Sequence, residues 1–316
     1  MKKLQNFDFN VAGLTAYVDE QQLELRAKQV LEGRSISLMA VQDGVKGSQR
    51  LHLMDDTITW QDGTSCVVSA SGDTTLTEKT ITTTDIAIMK SYCNKDLVGK
   101  WAQILLQPGA QAELMQLPFE EQLVNYILEK NSYEIDRAIW QSDTTGSGNL
   151  AFFDGFVKTL NADGSVIEAN TTGVASITTS NAYDVVLSVA RKLPEAVIES
   201  GDAAIFCGRK TFDKVKDNLF DLNLFHVPVS NDNVMSLTVP GTGITLHSVP
   251  GLNGTDYIYA GKRSEFIVGT DIEGDFSSIE VWYEKKDDSI YIRNRFRLGV
   301  QYPFSDQIVK FTLAAS

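Results

Sequence analysis

The chain has 316 residues, 43% of them apolar and 22% charged, with 7 prolines and 23 glycines. That balance fits a folded protein with a core of its own and excludes collagen-like or proline-rich disordered chains; the length allows about two domains, or one with insertions. Lys and Arg total 28 against 41 Asp and Glu, a net charge of −13, so the counterion release that drives DNA coating is lacking, as is attraction to an anionic membrane.

Cys66, Cys93 and Cys207 are few, odd in number and far apart. They form no disulfide framework and no CxxC knuckle, and read as small buried hydrophobes in a reducing compartment. The start, Met1-Lys2-Lys3-Leu4-Gln5-Asn6, leads into no apolar stretch of a signal peptide, and no apolar run approaches the ~18 residues of a membrane span. A soluble protein made without export is expected.

Residues 1–47 are mixed. Glu20 to Leu31 is charged and of moderately helical composition, with Gly33, Gly44 and Gly47 after it. No strong amphipathic period emerges, so the segment is expected to be an arm that needs a neighbour for support. Residues 48–90 turn β-prone. Leu51, Leu53, Ile58 and Trp60 precede an Asp62-Gly63 step, and Thr74 to Thr84 alternates threonine with Leu76 and Ile81. An Asp-Gly step between such runs signals a hairpin. A long two-stranded ribbon with little core is marginal in water and is expected to lie on its own body or another chain.

Pro118 to Gln141 reads as the best helix. Pro118 suits a first-turn position, Glu120 and Glu121 favour the positive helix start, and Leu123, Ile127, Ile135 and Ile139 form a stripe that Asn131 interrupts. Glu134 and Arg137 stand at pairing distance on its outer face. Thr144 to Asn149 ends it. A second helix is expected from Asn181, as N-cap, to Leu193, with Val186, Ala190 and Leu193 buried and Pro194 as the stop. A strand at Ala203–Cys207 and a helix from Thr211 to Leu219 follow. Residues 224–316 read as β-rich, with strands near 244–247, 257–259, 265–268, 279–283, 289–297 and 308–311. The class is α+β.

No catalytic motif is present: no GxSxG elbow, HExxH, Walker loop or GxGxxG entering a helix. His52, His226 and His247 lie far from ligand spacing, so no metal, cofactor or catalytic residue is expected. Asp143-Thr144-Thr145-Gly146-Ser147-Gly148 only loosely resembles a phosphate or Ca²⁺ loop, lacking the lysine and the alternating oxygen ligands. Asn170-Thr171-Thr172 and Asn253-Gly254-Thr255 are chance sequons in a chain with no secretory signal. Arg293, Arg295 and Arg297 share one face of a strand. That face is either balanced by Glu280 and Glu284 on a neighbouring strand or is a salt-bridging subunit contact. Asp287-Asp288 reads as the turn between the two strands.

The order of these elements resembles the major capsid protein of tailed bacteriophages, the Hong Kong 97 fold. The most specific match is the segment from Ile139 through the small residues 142–148 to Phe153-Asp154-Gly155-Phe156, which is similar to the turn after that family's spine helix. Val186 to Pro194 with Ala204 to Phe212 resembles its axial helix, strand and short helix, and Leu246 to Gly251 with Tyr259-Ala260-Gly261 resembles the return strands. The resemblance implies an N-terminal arm (1–47), an E-loop ribbon (48–90) and a peripheral domain (91–175) with its spine helix at 118–141. An axial domain (176–255) and a β-rich return (256–316) complete it.

It further implies a structural shell subunit, not an enzyme, that forms hexamers and pentamers of itself and encloses DNA without reading its sequence. Such a protein is made in the bacterial host cytoplasm, ends in the virion and works with portal and scaffolding proteins. Only about 47 residues precede the ribbon, so scaffolding is expected from a separate chain or to be dispensable. Some relatives weld a ribbon lysine to a neighbour's asparagine. Lys79 is the only lysine deep in the ribbon, no Asn and Glu can be placed beside it, and no cross-link is expected. Expected subunit contacts are Trp60, Leu76, Lys79, Ile81, Arg293, Arg295 and Arg297. Rival readings are an encapsulin-type nanocompartment shell, another phage structural protein such as a tail-tube or decoration protein, and an unrecognised enzyme.

Overall fold

The computed structural model describes residues 21–31, 33–56, 58–61, 64, 72, 74–93, 119–222, 235–272, 278–287 and 289–314. Its longest strand organises one half of the molecule. Strand β12 (Ser289–Gln301) alternates strictly: Ile290, Ile292, Asn294, Phe296 and Leu298 turn inward, while Tyr291, Arg293, Arg295 and Arg297 turn outward. Along one edge it pairs with β4 (Thr84–Cys93), from Leu298 opposite Thr84 to Ser289 opposite Cys93. Its other edge is shared by β11 (Ser278–Glu284) and β10 (Ile267–Thr270), and β1 (Ala40–Gln42) adds in parallel beyond β10. The β11–β12 connection includes the expected turn at Asp287; Asp288 lies outside the described residues.

A second sheet of six strands runs β5 (Ile167–Glu168), β13 (Val309–Phe311), β9 (Ile258–Lys262), β6 (Ala203–Cys207), β8 (Thr245–Ser248), β7 (Ser236–Thr238). Two amphipathic helices contribute to its core. Helix α5 (Ala182–Lys192) buries Val185, Val186, Val189 and Ala190, the short α6 (Glu195–Glu199) buries Val197, and α7 (Arg209–Asp221) buries Phe212, Val215 and Leu219. The α7 helix exceeds the expected Thr211–Leu219 by two residues at each end, and Asn253 Oδ1 accepts from Arg209 N (2.8 Å) at its start. Asn181 does precede α5, but its Oδ1 accepts from Thr178 N (2.7 Å), so it closes the preceding turn instead of capping the helix.

The long helix α3 (Phe119–Gln141) joins the two halves. Its buried face is Val124, Leu128, Asn131, Ser132, Ile135, Asp136 and Ile139, rotated from the expected stripe, with Ile127 half-buried. Glu134 and Arg137 form no ion pair. The hinge of the core is Trp140, fully buried, with Phe156, Phe206, Tyr259 and Phe266 at centroid distances of 5.5, 5.6, 5.6 and 6.0 Å. Such ring pairs add ~0.5–1.5 kcal/mol each beyond area burial. Trp140 Nε1 donates to Ser35 Oγ (2.8 Å), and Asp136 Oδ1 accepts from Ser35 N (2.8 Å). Both pin the one-turn helix α2 (Arg34–Ser37) to α3. Burial raises the Asp136 pKa, with the Ser35 hydrogen bonds and Arg34 opposing.

Of the expected arm, residues 1–20 and 32 lie outside the described residues. Helix α1 (Gln22–Leu31) buries Leu25 against Val124 and Leu128 of α3 and against Ile279, Val281, Ile290 and Ile292 of β11 and β12. The support it needs comes from its own body. The ribbon also differs. Strand β3 (Thr74–Thr82) pairs with β2 (Ser48–Asp56), from Ser48 opposite Thr82 to Asp56 opposite Thr74, so the connection spans 57–73. The Asp62-Gly63 step lies outside the described residues. The ribbon ends at Thr82, and residues 84–93 belong to the first sheet because Ile86 and Ile88 reach its core.

Candidate assembly surfaces

The ribbon is fastened at its root. Gly269 of β10 and Gly299 of β12 stand opposite each other and form a bare shelf. A Cβ on Gly269 would lie 2.7 Å from Ile81 Cδ1, and one on Gly299 would overlap the Thr82 carbonyl oxygen. Glycine is required here for close approach, since the ribbon backbone occupies the space of a side chain. Thr83 N donates to Gly47 O (2.7 Å) and Thr83 Oγ1 to Val45 O (3.0 Å). Gln301 Nε2 donates to Thr80 O (2.8 Å). Lys79 Nζ donates to Ser305 Oγ (2.9 Å) and sits 4.4 Å above the Tyr302 ring. Burial lowers the Lys79 pKa, opposed by Asp163 and Asp306.

Two of the expected subunit contacts are held within the chain itself. Ile81 is 0% exposed and Lys79 is engaged by its own chain: both anchor the ribbon to its body. The other end of the ribbon is bare. Met54, Ile58, Trp60 and Leu76 are 69%, 77%, 92% and 74% exposed, a run of large apolar groups that isolated surface residues do not explain.

The arginine face is balanced within the chain. Arg293 pairs with Glu280 across the β11–β12 ladder and lies 5.4 Å over the Trp282 ring. Arg297 is held by Asp85 (2.6 Å) and Asp271 (2.9 Å), its side chain only 18% exposed. Arg295 sits near Glu280, helping to lower that carboxyl's pKa. Arg293 and Arg297 are thus paired within the chain, Arg293 with one of the two glutamates expected to balance this face.

The turn after α3 is built round a lysine from the next helix, α4 (Phe156–Ala162). Lys158 Nζ donates to Asp143 Oδ1 (2.7 Å), Asp154 Oδ1 (2.8 Å) and Thr144 Oγ1 (3.0 Å). With Thr145 it holds the Asp143 carboxyl down to about 2. The run that loosely suggested a phosphate loop is filled by the chain's own cation. Gly155 closes the turn: its Cβ would meet Trp140 O at 2.7 Å and Ile139 O at 2.9 Å. Asn170, one of the formal sequons, donates to Val174 O (2.8 Å) and Thr312 O (2.7 Å) as a structural tie.

His247 is buried and stacked on Phe206, with its pKa pushed down to about 4 by burial and by Arg34 and Arg263. His52 pairs with Glu78 on the ribbon surface (3.2 Å), and His226 lies outside the described residues. Cys207 is buried, which pushes its thiol up; Cys93 is exposed, and Cys66 is outside the described residues. Among the described residues no group of three or more His, Cys, Asp and Glu could hold a metal ion, and no helix is long and apolar enough to cross a membrane.

A groove of about 460 Å³ lies between α3 and β4. Its sequence signal was faint: the polar Asn131 amid an apolar stripe.

No protein-family model matches the chain, and no curated protein is similar to it in sequence. Its architecture is shared. A chain of the satellite phage P4 procapsid including size determination (Sid) protein superposes with a TM-score of 0.58 at 11% identity, over 94% of this chain and 100% of that one. The capsid of the native GTA particle gives 0.57 at 15% identity, over 91% of both chains. Gordonia phage Cozz gives 0.58 at 12%, over 89% of this chain and 86% of that one. The chain has the phage capsid fold. Coverage is nearly end to end in both directions, so the likeness is one of the chain as a whole and not of a single segment.

Proposed function

We propose that this chain is a structural subunit that assembles with copies of itself, through hexamers and pentamers, into an icosahedral phage head. The observation that carries the reading is the phage capsid fold spanning nearly the whole chain. In this reading residues 1–47 are the arm, the ribbon from residue 48 is the E-loop, α3 is the spine helix and residues 176–255 form the axial domain. The matched phage and GTA particles favour a head over an encapsulin compartment.

The bare ribbon end supports self-association. A ribbon rooted on a glycine shelf and projecting four large apolar groups gains most by burying them against another copy, and heterologous contacts of this kind close into rings. A net charge of −13 would keep the inner wall from gripping packaged DNA. Portal and scaffolding proteins are the further partners this reading implies.

Size exclusion with light scattering on the purified chain, with negative-stain images of the largest fraction, tests the proposal. Closed shells, hexamers or pentamers support it. A monomer at every concentration, with and without candidate scaffolding chains from the same genome, overturns it.

A further inference from the structure

We propose that the groove between α3 and β4 is a binding site for a medium-chain fatty acid. Its alkyl tail lies between Phe152 and Leu298, and its carboxylate is held by Asn131, Lys130 and Lys90. The inference goes beyond the assembly reading, because a single chain presents the whole groove.

The groove follows the seam between two cores. Toward one end Ile86, Ile135, Ala138, Phe296 and Leu298 belong to the cluster around Trp140. Toward the other, Tyr92 and Ile127 pack on the cluster that holds Leu25. Between them along the two elements come the polar lining residues, Lys90 on β4 and Lys130, Asn131 and Glu134 on α3. The groove therefore has an apolar end and a polar middle, the division an amphiphile needs. Its volume of about 460 Å³ falls among small-ligand clefts, ~300–1,000 Å³, which are mostly apolar with a few placed polar groups. Asn131 and Ala138 stand about 10 Å apart along the helix axis, room for the tail of a medium-chain acid.

The polar middle asks for an acceptor. Asn131 is more than nine-tenths buried, and its Nδ2 has no hydrogen-bond partner among the described residues. A buried donor left unpaired is costly, and only an acceptor entering the groove relieves it. Two ammonium groups flank the same place. Lys130 Nζ stands 5.6 Å over the Tyr126 ring at the groove wall, and Lys90 alternates with Ile86 and Ile88 on the face of β4 that turns toward α3. Against these two cations the lining holds one carboxylate, Glu134, in a chain whose acidic residues outnumber its basic ones by 41 to 28. The local sign is thus reversed.

These groups select the head and the walls select the tail. A carboxylate has two acceptor oxygens and can take the Asn131 N–H and a lysine together, in charge-assisted hydrogen bonds. An alcohol lacks the charge, and an alkylammonium has the wrong sign. Tyr126 and Phe152, 58% and 45% exposed on the walls, are the apolar surface that an alkyl chain would cover.

Calorimetric titration of the full chain with decanoate, kept below its micelle concentration, tests the site. One molecule per chain is expected, with affinity rising about four-fold per methylene from hexanoate to decanoate. Decanol should bind about 10-fold more weakly, and decyltrimethylammonium should show no binding. Lys130→Glu and Asn131→Leu should each weaken decanoate by roughly 10-fold, with a thermal melt showing that each variant is folded. No decanoate binding, equal binding of the three head groups, or folded variants that bind like the wild type overturn the inference. Decanoic acid with a diazirine at its tail end reads the site on the unaltered chain. Adducts within 86–92, 135–138 or 149–152 are expected, and adducts confined to other segments overturn the assignment. None of these measurements needs a shell to form, so failure of the assembly reading is a distinct result.

Discussion

Replacing Gly299 with alanine tests how the ribbon is held. The new Cβ would overlap Thr82 O and lie 2.9 Å from its carbonyl carbon and 3.1 Å from Thr83 Cα, where carbon atoms normally rest ~3.5–4.0 Å apart. The obstacle is backbone, so the β3–β4 junction must retreat by about 1 Å. Ile81, fully buried, is then unseated, a loss of ~1.5–3 kcal/mol. The two Thr83 hydrogen bonds to Val45 and Gly47 are strained, worth ~1 kcal/mol each. The sum, about 3–5 kcal/mol, is set against a total stability of ~5–15 kcal/mol, and it falls on the ribbon root and not on the Trp140 core. The body should stay folded while the root opens. Native-state hydrogen exchange reads this directly: protection at the Ile81 and Thr83 amides should fall by roughly 100-fold or more, with the amides of β6 and β9 unchanged. Shell assembly followed by light scattering should fail or slow in step. Gly164→Ala is the control, because nothing lies within 4 Å of its Cβ. If Gly299→Ala exchanges and assembles like the wild type, the shelf is not what positions the ribbon.

Three further outcomes follow from the same geometry. His247 stays neutral in the fold to about pH 4 but protonates near 6.5 when unfolded. Stability should therefore be full above pH 6.5 and fall as pH drops toward 4, by up to roughly 3 kcal/mol; a His247→Gln variant whose denaturation midpoint keeps the same slope across that window would refute the assignment. Lys158→Met should raise the Asp143 carboxyl from about 2 toward its ordinary value, only part of the way because the Thr145 hydrogen bonds remain; a carboxyl titration followed by NMR that still gives about 2 would show that the lysine is not the cause. Lys310 Nζ donates to the carbonyls of Leu160, Asn161 and Asp163 (3.0, 3.2 and 3.1 Å) and closes the end of α4. Lys310→Met should cost about 2–3 kcal/mol and lower Tm by about 5 °C in a thermal melt, whereas an unchanged Tm would mean that water satisfies those carbonyls as well.

Much of the architecture was readable in one dimension because periodicity reports which face is buried. The alternation in 289–297 located β12 and placed the three arginines on one face, and Val186, Ala190 and Leu193 marked the buried side of α5. Where the period weakened, so did the reading. Leu25 docks α1, yet a ten-residue helix with few apolar groups carries little signal. The stripe proposed for α3 was rotated because its inner face holds Asn131, Ser132 and Asp136, polar groups that hydropathy assigns to solvent. The burial of Asp136 is decided by a partner far along the chain, Ser35, 101 residues away.

The candidate contacts divide in the same way. Trp60 and Leu76 are bare as a ribbon without a core requires, so their composition was enough to single them out. Ile81 and Lys79 look the same in sequence but sit one turn of logic away, at the root, where Gly269, Gly299, Ser305 and Tyr302 receive them. Alternating residues, turn glycines and the proline stops set the strands, the helices and the class, since those depend on neighbours a few positions apart. Which end of the ribbon is fastened, and that Arg297 is held by Asp85, depended on residues more than two hundred positions away. Only the folded chain brings such groups within the few ångströms over which packing and hydrogen bonding act.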